Sequence, residues 1–128
     1  MSYYFSKTVD QNFEDAIEKV TGELKKEGFG ILTEIDVKET FKKKLDMDFR
    51  KYRILGACNP KMAHQAITVE SRIGTMLPCN VIVQELENGQ VEVTAVDPVA
   101  SMSAVKNDQL GAVAQQVREG LKRAIDSL

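Results

Sequence analysis

Tyr52-Arg53-Ile54-Leu55-Gly56-Ala57-Cys58-Asn59-Pro60 runs almost continuously apolar and then stops on a helix-starting pair. Such a run suits a strand covered on both faces or placed centrally in a sheet. Asn59 is a favoured N-cap, because its side-chain oxygen accepts an unpaired N–H of the first turn. Pro60 fits the first helical position, where no N–H is needed. A helix is therefore expected from this pair through Ala63, Ala66 and Ile67 to about Ser71, which leaves Cys58 one place before a helix N-terminus.

Upstream, the period of the apolar positions changes twice. Tyr3 to Val9 alternates as a half-buried strand does. Phe13, Ile17, Val20 and Leu24 then fall on one face of a helix capped by Asp10 or Asn12 and closed by Gly28. From Phe29 the period is two, which predicts a strand with Phe29, Ile31, Thr33, Ile35 and Val37 on one side. Asp36 and Glu39 resemble a capping box for a short helix carrying Phe41 and Leu45.

Downstream, Cys79 to Leu86 and Val91 to Val96 read as two strands joined by a tight turn at Asn88-Gly89, residues that tolerate positive φ. Asp97-Pro98 ends the second strand, and the segment to Asn107 has no clear period. Leu110, Val113, Val117, Leu121, Ala124 and Leu128 mark a long last helix, with Gly111 and Gly120 allowing close packing. The order β-α-β-α-β-α-β-β-α predicts an α+β fold. We expect a single domain over residues 1–128, with one mixed, mainly antiparallel sheet of about five strands and helices mainly on one face. The other face is left open, and a homodimer is the expected way to cover it.

Composition narrows the function. A net charge of −2 offers no field for a phosphate backbone, so nucleic acid is not an expected partner. Lys38 to Arg53 carries seven basic residues against three acidic ones, and it reads either as a solvated helix face or as an anion-attracting patch. The uncharged run Ile73 to Gln84 contains Pro78 and falls short of the roughly 20 apolar residues of a spanning helix, so no membrane insertion is expected. Met1 to Lys7 lacks the pattern of an export signal, and with two cysteines in all the expected compartment is a reducing cytoplasm.

Those two cysteines, Cys58 and Cys79, each precede an asparagine at an element boundary. A thiol at a helix N-terminus can be held as thiolate by the helix dipole, with Lys61 and His64 near enough to assist; the alternative is a small buried apolar residue. A parallel crossover would hold the two cysteines a strand length apart, whereas an antiparallel return through Arg72 to Pro78 would unite them. With His64 they make three soft ligands without metal spacing, so no metal and no cofactor are expected. As the only histidine, His64 suits a helix surface or a dimer contact. Gly28-Phe29-Gly30 follows a helix and precedes a strand, the reverse of a nucleotide loop. Asp97 either lines a pocket or terminates the sheet. Met47, Met62, Met76 and Met102 read as fillers of core gaps.

The segments Tyr52 to Pro60 with Ala63, Leu77-Pro78-Cys79-Asn80-Val81, Asp97-Pro98 and Gly28 to Val37 together resemble the bacterial and archaeal domain of unknown function 302 family. The resemblance spans most of the chain and implies a small, dimeric α/β domain with no established activity. The reading drawn from the residues is a non-enzymatic ligand-binding or accessory homodimer. Its pocket is framed by Cys58, Asn59, Pro60, His64, Pro78, Cys79 and Asp97, and the helix N-termini there would favour a small anion. The alternative is a thiol-dependent redox or sulfur-transfer protein with Cys58 as nucleophile.

Overall fold

A computed structural model describes residues 2–128. In chain order the elements are β1 (Tyr4–Val9), α1 (Phe13–Lys26), β2 (Gly30–Asp36), α2 (Val37–Leu45), β3 (Tyr52–Cys58), α3 (Pro60–Val69), a 3-10 helix (Ser71–Met76), β4 (Cys79–Glu85), β5 (Val91–Val96), α4 (Pro98–Ser101) and α5 (Asp108–Asp126). The strands form one sheet in the order β1-β5-β4-β3-β2, antiparallel at every pairing. The expected α+β class holds. β3 is an interior strand but not the middle one, which is β4.

The helix starts follow from capping chemistry. Asn12, Asp36, Asn59 and Asn107 each accept a first-turn N–H through a side-chain oxygen, at 2.9 Å from Asp15, 3.0 Å from Glu39, 3.2 Å from Met62 and 3.0 Å from Gln109. α1 and α5 lie on one face of the sheet and close a core in which Val20, Leu24, Val81, Val83, Val93, Ala95 and Leu121 are fully buried. Burying each of the valine and leucine side chains among them contributes about 1.5–3 kcal/mol. A smaller cluster of Ala66, Ile73, Met102, Leu110 and Ala114 extends this core past the sheet end, between α3, the 3-10 helix and α5. Part of it comes from the segment that has no period in the sequence, which holds the one-turn helix α4.

The strict alternation expected along β2 is broken. Register shifts between Ile31 and Thr33, so Ile31 stays opposite Ala57 on the core face while Thr33 lies opposite Gly56 and Ile35 opposite Ile54 on the other. The extra residue of a bulge turns every later side chain over. Leu32 is 65% and Ile35 48% exposed as a result. On the core side Arg53 ties the neighbourhood together, reaching Glu14 of α1 at 3.5 Å, Glu34 of β2 at 2.7 Å and Asp36 at 3.5 Å. The rest of the basic run is a solvated face: Lys43 pairs with Glu39 at 2.6 Å and Lys42 with Asp46 at 3.1 Å. α2 buries no side chain.

Gly56 is required by space. A Cβ there would lie 2.1 Å from Thr33 Oγ1 and 2.6 Å from Pro78 Cγ. Replacing Gly56 by Ala should therefore destabilise the fold by about 1–3 kcal/mol, the range for an overpacked site. Urea unfolding measures this as a lowered midpoint at constant slope, and a midpoint equal to wild type would contradict the close approach.

Candidate functional site

Cys58 ends β3, Asn59 caps α3, and Cys79 opens β4. Ala57 is the register partner of Cys79, which places the two cysteines on neighbouring strands one position out of step. Strand spacing and rise put their Cα atoms roughly 6 Å apart. Of the two arrangements open to the sequence, the chain adopts the antiparallel return, reversing direction through α3 and the 3-10 helix. Both cysteines are free thiols, Cys58 half-buried and Cys79 buried.

Burial pushes the Cys58 thiol above its ordinary pKa. Burial also pushes Cys79 up, to about 11, and the nearby charge on Cys58 adds to that. The helix start thus sits beside a protonated thiol rather than a thiolate. The first-turn donor on Met62 is already taken by Asn59 Oδ1, and Lys61 and His64 are exposed, turned away from the sulfurs' apolar surroundings.

The two cysteines share a narrow cavity of about 30 Å³ between the sheet end, α3 and α5, room for about two water-sized guests. Its wall includes Ala57, Asn59, Pro78 and Pro98, the helix residues Met62, Ala63 and Ala66, Leu77 and Met102, and an α5 face of Leu110, Val113, Ala114 and Val117. Among the residues named from the sequence, Cys58, Asn59, Pro78 and Cys79 come together on this wall. Pro60 and His64 lie on the exposed outside of α3. Asp97 is buried but engaged elsewhere, since its Oδ1 accepts from Val99 N at 3.0 Å to cap α4 and its Oδ2 meets Arg118 Nε at 3.2 Å. Sequence reasoning missed Met62, Met102 and Leu77 as site residues. The helical period of Leu110, Val113 and Val117 marks the α5 wall as apolar, but nothing in the spacing says that it faces the cysteines.

This arrangement of strands and helices is shared. The family described as "Domain of unknown function DUF302" matches residues 5–128. The chain belongs to the DUF302 family. A crystal structure of an uncharacterized conserved DUF302 protein from Bacillus stearothermophilus is similar to it, with a TM-score of 0.91 at 27% identity over 98% of this chain and 98% of that one. No protein of curated function matches the chain significantly. Family membership brings a fold without an activity.

The Cys79 thiol titrates higher in the folded chain, about 11 against 9.0 unperturbed. A pKa raised on folding stabilises the protein fully below the unfolded value, and that stability is lost as pH climbs towards the folded one. Between about pH 9 and about pH 11 the fold should lose about 2 kcal/mol through this one group. Urea midpoints across that window should fall less steeply for Cys79→Ala than for the wild type; parallel slopes would show that the thiol does not titrate as its burial requires.

Proposed function

We propose that this protein is a non-enzymatic binding module that acts as a homodimer, with the crevice beside Cys58 and Cys79 as its ligand site. One observation carries the reading: a crevice between the sheet end, α3 and α5 is lined by side chains that are apolar but for Asn59 and the two thiols. An anion finds no cation on that wall, so the ligand is small and uncharged or soft. Met62 and Met102 have the unbranched, flexible side chains that let such a crevice widen around a guest. Reduced cysteines suit a cytoplasmic setting. The competing reading, redox or sulfur transfer through Cys58, draws on two free thiols on adjacent strands, but the upward pKa shifts of both work against a thiolate nucleophile at neutral pH.

The homodimer is supported by the sheet face away from α1 and α5. Tyr3, Tyr4, Tyr52, Ile82 and Val96 line a groove there of about 450 Å³, continuing to Ile35 and Ile54 beside α2. Charge argues for a second copy as the occupant. Arg50 donates to Gln84 at 3.0 Å and stacks over Phe49 at 4.4 Å, while Glu92 accepts from Gln84 at 3.1 Å and Thr94 at 3.3 Å. In a two-fold pairing of this face, each copy presents both an Arg50 and a Glu92 to the other, and a contact between them would recur twice across the axis.

Two measurements test the two halves. In a thermal-shift screen, small apolar compounds and thiols should raise Tm by several degrees, with phosphate, sulfate and nucleotides inert, and Ala63→Phe should abolish the shift by filling the crevice. A flat response to every apolar compound would overturn the ligand site. Light scattering at micromolar concentration should give twice the chain mass of 14.3 kDa. Arg50→Glu should yield monomer and the double change Arg50→Glu with Glu92→Arg should restore dimer, whereas a wild-type mass of one chain removes the dimer.

A further inference from the structure

The chain has five asparagines, and their surroundings separate one from the rest. A side-chain amide is open to attack by the main-chain nitrogen of the next residue, which must carry an N–H and be free to approach. Asn59 precedes Pro60, which has no N–H. Asn80 precedes Val81, β-branched, buried and held in the ladder of β3 and β4. Asn12 and Asn107 precede the first residues of α1 and α5, and both side chains are occupied as caps. Asn88 precedes Gly89, at φ +85° with nothing within 4 Å of the point where a side chain would begin, and both lie exposed at the tip of the β4–β5 hairpin. We propose that Asn88 is a self-modifying position, which loses its side-chain amide through a cyclic imide closed by the Gly89 nitrogen and becomes aspartate or isoaspartate.

The step needs nothing but water. The Gly89 nitrogen gives its proton to solvent and bonds to Asn88 Cγ; the Cγ–Nδ2 bond breaks and the nitrogen leaves as ammonia. Water then opens the imide at either carbonyl, and no electron changes hands. The turn assists at the atom where charge develops. Asn88 Oδ1 accepts from the Gln90 N–H at 2.9 Å, which places a donor on the oxygen that becomes negative during attack, and Nδ2 donates to Gln90 Oε1 at 2.9 Å. One bond opposes: the Gly89 N–H donates to Leu86 O at 2.9 Å. Because Glu87 to Gln90 are all exposed, opening that bond is a local event that delays attack without barring it.

The product differs from the parent in charge and in chain path. One negative charge is added, beside Glu87, to a net charge of −2. Isoaspartate also carries the main chain through the side-chain carbon, which lengthens a turn that Leu86 N closes on Gln90 O at 2.7 Å. β4 and β5 are both interior strands, so a lengthened turn loosens the pairing at the middle of the sheet. This inference is independent of the crevice and of the dimer.

The test incubates the folded full-length chain in neutral and mildly alkaline buffer, then follows it by ion exchange and by mass spectrometry of its peptides, with isoaspartyl methyltransferase to mark isoaspartate. One amide per chain should be lost, at Asn88, with both products present, an acidic shift of the whole protein and a rate that rises with pH. Asn12, Asn59, Asn80 and Asn107 should stay intact. Gly89→Asp keeps a residue that tolerates positive φ and should slow the loss, because a side chain now hinders the approach. Asn88→Gln, which must close a larger ring, should stay unmodified. The proposal is overturned if Asn88 stays intact in the folded chain while the urea-unfolded chain loses its amide, if the other asparagines are lost as fast, or if Gly89→Asp converts as fast as the wild type.

Discussion

The antiparallel pairing of β3 with β4 is the constraint on which the rest of the molecule depends. It fixes Ala57 opposite Cys79 and Leu55 opposite Val81, which aims Leu55, Ala57, Cys79 and Val81 at α1 and α5 together. A pairing shifted by one residue would turn these side chains to the open face and the polar set inward. The same register sets Cys58 and Cys79 side by side and anchors α3 where α5 can reach it. Core and crevice are thus two consequences of one ladder.

The ladder needs room at one point, and Gly56 supplies it. Thr33 from β2 and Pro78 at the entrance to β4 both press into the space a side chain would fill. The bulge in β2 is what turns Thr33 towards that notch, and Arg53 holds the strand beyond the bulge through Glu34 and Asp36. A second notch, on α5, works in the same way: a Cβ on Gly120 would lie 2.9 Å from Phe29, so α5 can settle over the strand that follows α1. The approach at Gly120 brings α5 down far enough to wall the crevice.

The sequence made the elements legible where one local signal decides them. Asn12, Asp36, Asn59 and Asn107 start helices because capping needs only the residue and its next turn, and Asn88-Gly89 turns a hairpin with Gly89 at φ +85°. What stayed out of reach was long-range. Period two along β2 could not announce a bulge, because an inserted residue such as Leu32 looks like any other member of the alternation. The α4 turn is too short to show a helical period. The approach of the Cys58 and Cys79 backbones depended on whether the chain after α3 returned or crossed over, a choice made by the packing of Ile73 and Leu77 against distant residues. For the same reason Met62 and Met102 looked like unrelated gap fillers, since their common destination exists only in three dimensions.

The thiols show how burial changes the kind of chemistry a residue can do. A helix N-terminus favours a thiolate, yet desolvation favours the neutral form, and here desolvation wins: both cysteines shift upward, Cys79 to about 11. The helix's contribution is diminished because Asn59 already occupies a first-turn N–H, and the side chain of Lys61 is exposed to water. A nucleophile needs the charged form ready before its substrate arrives, whereas a ligand site needs only donors that become favourable once the guest is inside. An apolar crevice with protonated sulfur is poor at the first role and suited to the second, which is the physical support for the proposed binding site.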